Sequence, residues 1–156
     1  MVIEELAQQK AQITLLVREH WNLWTVEYIE DLRQRTENNL IYAETHNLDS
    51  LHSVREFATK WINTTPLRHL DMVICNADVL SPPFTPLGRT IYDVEQHWVI
   101  NFLSHFHLFN LLSSTIRAQL PDRDIHIIFT TCSLYAIGDP SNPPVATSSA
   151  WKALGS

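Results

Sequence analysis

The stretch Leu70–Val79, LDMVICNADV, decides how the fold is read. Met72–Cys75 are four apolar residues in unbroken succession. The run is too short for a helix and lacks the alternation of a strand with one wet face. A run of this kind predicts a strand buried on both faces, as in a parallel sheet. The segment that follows, VLSPPFTPLGRT (79–90), is a loop, because Pro82, Pro83 and Pro86 forbid regular structure. Beyond it, HWVINFLSHFHLFNLLSSTIRAQLP (97–121) predicts a long, mostly apolar helix ended by Pro121. DIHIIFTT (124–131) predicts another buried strand.

Upstream the same alternation holds. DSLHSVREFATKWINT (49–64) reads as a helix with Asp49 or Ser50 as N-cap and a stripe of Leu51, Val54, Phe57, Ala58, Trp61 and Ile62. NLIYAETHNL (39–48) reads as a strand after an Asn-Asn turn, and WNLWTVEYIEDLRQRT (21–36) as a helix. ITLLVRE (13–19) is a further buried strand, and VIEELAQQKAQ (2–12) suits the tail of a helix. Strands alternating with helices predict an α/β fold with a parallel sheet.

The chain has 156 residues, enough for one domain with a core, expected over residues 1–156. Its net charge is −6 and its 11 Lys and Arg residues are scattered, which leaves no electrostatic footprint for nucleic acid or an anionic membrane. Cys75 and Cys132 make no disulfide framework and lack C-x-x-C spacing. No run approaches the roughly 20 apolar residues of a membrane span, so a cytoplasmic location is expected. Any membrane or lipid-droplet association would depend on segments outside these residues. With three glycines in all, the chain holds neither G-x-G-x-x-G nor G-x-x-x-x-G-K-[ST], and a self-contained nucleotide site of either type is excluded.

In order and spacing the segments resemble the short-chain dehydrogenase/reductase family, in particular its retinol-dehydrogenase-like branch. IEELAQQKAQITLLVRE is similar to the end of the family's first helix and its second strand. NLDSLHSVREFA resembles D-L-A-S-L-x-S-V-R-x-F-A, and LDMVICNADV resembles L-D-V-L-V-N-N-A-G-V. WVINFLSHFHLFNLL and IIFTTCSLYAIG stand in the places of F-x-V-N-h-L-G-H-F-x-L-t-x-L-L and I-V-N-V-S-S-x-A-h-x-G. The resemblance implies a Rossmann-like, doubly wound parallel sheet and NADP(H)-linked chemistry on a small-molecule ketone/alcohol pair, with an apolar substrate such as a lipid or sterol.

Carried over by position, the resemblance implies Asn101, Ser133 and Lys152 as catalytic residues. The Tyr that serves the family as general acid/base falls at Ser148. Arg18, Asn47, Asn76 and Lys152 take the cofactor-binding positions, Arg18 where NADP-preferring members place a base for the 2′-phosphate. Asn47 stands where the family has Asp, and Asp78 replaces the Gly of N-N-A-G. No metal site is expected: His105 and His107, two apart on a helix, point to different faces.

By the same resemblance, the family's first strand and glycine loop would precede Met1, and its last strands would follow Ser156. In the order 3-2-1-4-5 the first strand is central. Without it, the first two strands here are expected to form one half-sheet and the last two another. Two readings follow. One is an oxidoreductase, as a fragment or a catalytically impaired form. The other is a non-catalytic relative acting through a partner, or a decaying gene product. The helix over 98–120 is the expected surface for a homo- or hetero-oligomer.

Overall fold

The computed structural model describes residues 2–19, 22–65, 68–81, 86, 88–117 and 124–131. They form helices α1 (Val2–Gln8), α2 (Leu23–Thr36) and α3 (Leu51–Ile62), and strands β1 (Ile13–Val17), β2 (Ile41–Thr45), β3 (Met72–Cys75) and β4 (His126–Phe129). The long apolar helix is built in three parts: α4 (Gln96–Trp98), a π-helical turn (Val99–Leu103) and α5 (Ser104–Arg117). The strands pair as two two-stranded parallel sheets, β1 with β2 and β3 with β4. The two separate pairs match the two half-sheets expected from the sequence.

The chain divides into two compact units, Met1–Asn47 and Leu48–Ser156. In the first, Ala7, Ile29, Leu32 and Ile41 are buried together, with Ile3, Ile13, Leu15, Tyr28 and Ala43 packed on them. These residues come from both strands and both helices, so the stripes of α1 and α2 cover the sheet. Leu23 and Trp24, which share the helical spacing of α2, remain more than two-thirds exposed. Asn22 caps α2 by accepting from Trp24 N–H at 3.0 Å.

In the second unit α3 packs against α5. Leu51, Val94, Val99 and Leu103 form one buried cluster, flanked by Tyr92 and Trp98. Ser50 is the N-cap of α3, accepting from Ser53 N–H at 3.3 Å. Ser104 Oγ donates to Leu48 O at 2.6 Å, which ties the start of α5 to the chain entering α3.

One expectation is corrected here. The strands read as buried on both faces are only half covered: all five residues of β1 are intermediate, and Ile74, Ile128 and Phe129 are exposed. A two-stranded sheet leaves each strand with one unpaired edge, so apolar side chains that a wider sheet would bury meet solvent.

Candidate functional site

Asn101 lies in the middle of the π turn, the one place where this helix departs from α geometry. Such bulges widen the helix and re-aim a side chain, and they recur at functional sites. Here the Asn101 amide faces the loop that leaves β3. Its Oδ1 accepts from Val79 N–H at 2.8 Å and its Nδ2 donates to Val79 O at 2.9 Å. Both halves of the amide are satisfied by one residue's backbone, so loop and helix are held in a single register.

The clamp is one rung of three. His105 Nε2 is 2.9 Å from Ala77 O, and His97 Nε2 accepts from Ser81 N–H at 3.0 Å. Helix positions 97, 101 and 105 thus meet loop positions 81, 79 and 77, running in opposite directions. The spacings match: four helical residues rise ~6 Å and two extended residues span ~6.7 Å. Because Ala77 O can only accept, His105 Nε2 carries the proton and donates. His105 is buried, so its ring satisfies the loop carbonyl inside the fold. Sequence reasoning paired His105 with His107 as an H-x-H and missed His97. The helix also carries Gln96, Ser104, His107 and Asn110, so the sequence does not set the series 97, 101 and 105 apart.

Glu95 opens the helix. Its carboxylate accepts from His97 N–H and Trp98 N–H, both at 2.8 Å. Burial pushes this carboxyl up, but those two N–H groups and the His97 ring outweigh it and hold it below its ordinary value. His107 is buried, and its Nε2 has no hydrogen-bond partner among the described residues. Burial, and then the charge of Arg55, hold its pKa below the ordinary value. Burial also pushes the Cys75 thiol up, leaving it a protonated core group. Among the described residues, no cluster of three His, Cys, Asp or Glu side chains could hold a metal ion.

Three of the predicted cofactor residues stand at equivalent positions, each relative to its own strand. Arg18, Asn47 and Asn76 each follow the C-terminal end of a parallel strand, β1, β2 and β3 respectively. That end is where open α/β sheets bind ligands. Arg18 is exposed and makes no ion pair among the described residues. Asn76 is exposed, and its Oδ1 accepts from Thr130 Oγ1 at 2.9 Å across the ends of β3 and β4. Ser133, Ser148 and Lys152 lie outside the described residues. The structure therefore brings Asn101 and the Asn76–Ser81 loop together and places no other catalytic candidate.

No protein-family model matches the chain. Among curated proteins it is 43% identical over 162 residues to an uncharacterized oxidoreductase, pbr1, of Schizosaccharomyces pombe, covering 99% of this chain and 43% of that protein. It is 33% identical over 123 residues to human retinol dehydrogenase 13, covering 79% of this chain and 35% of the relative. Among solved structures, a metagenomic short-chain oxidoreductase in complex with NADP superposes with a TM-score of 0.60 at 17% identity. The match covers 97% of this chain and 62% of that one, and it shows the fold. The chain belongs to the short-chain dehydrogenase/reductase family. Within it, the curated relatives are oxidoreductases and retinol dehydrogenases, and the chain spans less than half the length of the two described here. Among the described residues, no helix is long and apolar enough to cross a membrane.

Proposed function

We propose that the chain is part of an NADP(H)-linked reductase or dehydrogenase acting on an apolar ketone/alcohol pair, in a form impaired by Ser148 at the family's Tyr position. The observation that carries this reading is the clamp of Asn101 onto Val79 beside the end of β3. It fixes the segment after β3 next to the residue that the family resemblance makes catalytic. Arg18 supports NADP over NAD by its charge and exposure.

The rest of the reading concerns Ser133, Ser148 and Lys152. Ser133 would hold the substrate oxygen and Lys152 the ribose. A serine hydroxyl at 148 is far less acidic than a phenol and sits on a shorter side chain, so proton transfer is the step that suffers. NADPH oxidation with apolar ketones, followed by nicotinamide absorbance, tests this directly. The chain as it stands should give no turnover above background, and Ser148→Tyr should raise the rate by about 10²-fold or more in a form that also carries the family's glycine loop. Turnover by the unaltered chain would remove the impairment. A silent Ser148→Tyr chain that binds NADPH would remove the assigned chemistry.

The second reading, a non-catalytic relative working through a partner, has its own support. Trp98, Phe102 and Phe106 stack in succession along one helix face, with centroids 4.6 Å and 6.1 Å apart. Phe102 and Phe106 are half exposed. Such a stripe suits a homo- or hetero-oligomeric contact through the 98–120 helix. Failure to bind NADPH together with a concentration-dependent mass in solution would favour this reading. We place the protein in the cytoplasm.

A further inference from the structure

Next to the Asn101 clamp stands a polar constellation that reductase chemistry does not use. Glu95 Oε1 lies 2.6 Å from His97 Nδ1, and His97 Nε2 lies 2.9 Å from Ser81 Oγ. Ser81 N–H also reaches Nε2, at 3.0 Å. A backbone N–H can only donate, so Nε2 must present its lone pair, and the ring proton sits on Nδ1 facing Glu95. That is the tautomer a histidine needs to take a proton from a hydroxyl, and its one lone pair, shared by Ser81 N–H and Oγ–H, passes wholly to the hydroxyl when it does so. Glu95 is itself fixed by the two backbone N–H groups that begin the helix.

Holding the loop requires only the bond from Ser81 N–H to Nε2. The carboxylate on Nδ1 and the hydroxyl on Nε2 go further. They supply a base beside the hydroxyl and an anion that orients the base. The Glu95 and His97 side chains are about four-fifths buried, which shields the pair from water, while Ser81 stays partly open.

We propose that Ser81 is a nucleophile with His97 as its base and Glu95 as the residue positioning that base, and that its substrate is a carboxylic ester. In the reaction Ser81 Oγ bonds to the ester carbonyl carbon while its proton passes to His97 Nε2. The bond to the alkoxide then breaks and Nε2 returns the proton, releasing an alcohol. Water repeats the sequence on the acyl-serine, releasing a carboxylic acid and restoring the hydroxyl. Nothing is oxidised or reduced, so the activity is independent of the reductase reading.

The test treats the 156-residue chain with an alkyl fluorophosphonate and, separately, with a p-nitrophenyl ester of a short fatty acid. With the fluorophosphonate an Oγ–P bond forms and fluoride leaves, taking the proton through His97. The expected result is a single adduct, located on Ser81 by tandem mass spectrometry, together with ester hydrolysis. Both should fall at least about 100-fold in Ser81→Ala and in His97→Gln. Ser81→Ala keeps the backbone N–H and hence the loop. A low-field proton signal from His97 Nδ1 should be present in the parent chain, survive Ser81→Ala and vanish in Glu95→Gln. Absence of that signal in the parent chain overturns the proposal. So does the signal without an adduct on Ser81, or hydrolysis that is unchanged in Ser81→Ala.

Discussion

The two units use polar side chains for opposite purposes. In Met1–Asn47 they close the framework. Lys10 Nζ donates to Thr36 O and Glu37 O at 2.8 and 2.9 Å, capping the carbonyl end of α2. Asn38 Nδ2 donates to Ala7 O and Ala11 O, and Arg33 Nε to Ile41 O at 3.1 Å. Each bond ends a helix or fixes a strand next to the small core. In Leu48–Ser156 the corresponding bonds, from His97, Asn101 and His105, hold a loop that carries no core residue. A loop that contributes nothing to the core has no packing reason to be held at three successive rungs. Its register matters for what its neighbours do.

The largest expected effect lies in the first unit's core. Leu32 is fully buried among Ala7, Ile29 and Ile41, so Leu32→Ala should cost about 3 kcal/mol, the cavity adding to the lost burial. Urea unfolding followed by hydrogen exchange in β1 and β2 measures it. A cost under about 1 kcal/mol would mean that the polar closures, and not this core, hold the unit.

Asn101→Asp should cost less, about 1–2 kcal/mol, and act on the loop. The carboxylate still accepts from Val79 N–H but places a second oxygen against Val79 O, where the amide donated. Exchange at the Val79 amide should speed up while the buried face of α3 stays protected. Unchanged protection at Val79 would show that the neighbouring rungs suffice and that the clamp is redundant.

Lys10→Met sharpens the contrast from the other side. It removes two charge-assisted bonds to the end of α2 but keeps an apolar stem, so about 1 kcal/mol is expected. Lys10 has φ 63°, a left-handed conformation that Met shares with the same strain, so the substitution isolates the ammonium. Salt should reduce the difference between the two proteins, because the contact is partly exposed.

Much of this was legible in the sequence. The order of helices and strands and the parallel pairing in two half-sheets follow from periodicity and from the family resemblance. Ser50 and Asp49 were equal as N-caps on composition alone, and only backbone geometry selects Ser50. The π turn has no sequence signature, since VINFL is as compatible with an ordinary α turn. His97 has no sequence signature of its own, and the H-x-H at 105 and 107 is not the pattern that matters. The relevant pattern was instead a match between helical rise and extended-chain rise, which exists only once the loop is placed. The degree of strand burial was misread for a different reason: apolar runs report what a full sheet would cover, not what two strands cover.

The pH response falls within the second unit, with the smallest effect at neutral pH. His107 titrates near 6.5 when unfolded, and burial beside Arg55 lowers it when folded. Between those two values the unfolded chain binds more protons, so stability falls as the pH drops through about 6.5 toward the folded value. Glu95 has the other sign. Its folded pKa is depressed, so its contribution is present above the unfolded value near 4.5 and is lost only as the pH falls through the folded one. The two losses therefore occupy different windows. Urea unfolding of the second unit at about pH 7.5 and about pH 5.5 should show the first loss alone. His107→Leu should abolish it, since Leu places no ionisable group against Arg55 and leaves no buried ring nitrogen unpaired. If the loss persists in His107→Leu, it belongs to another histidine.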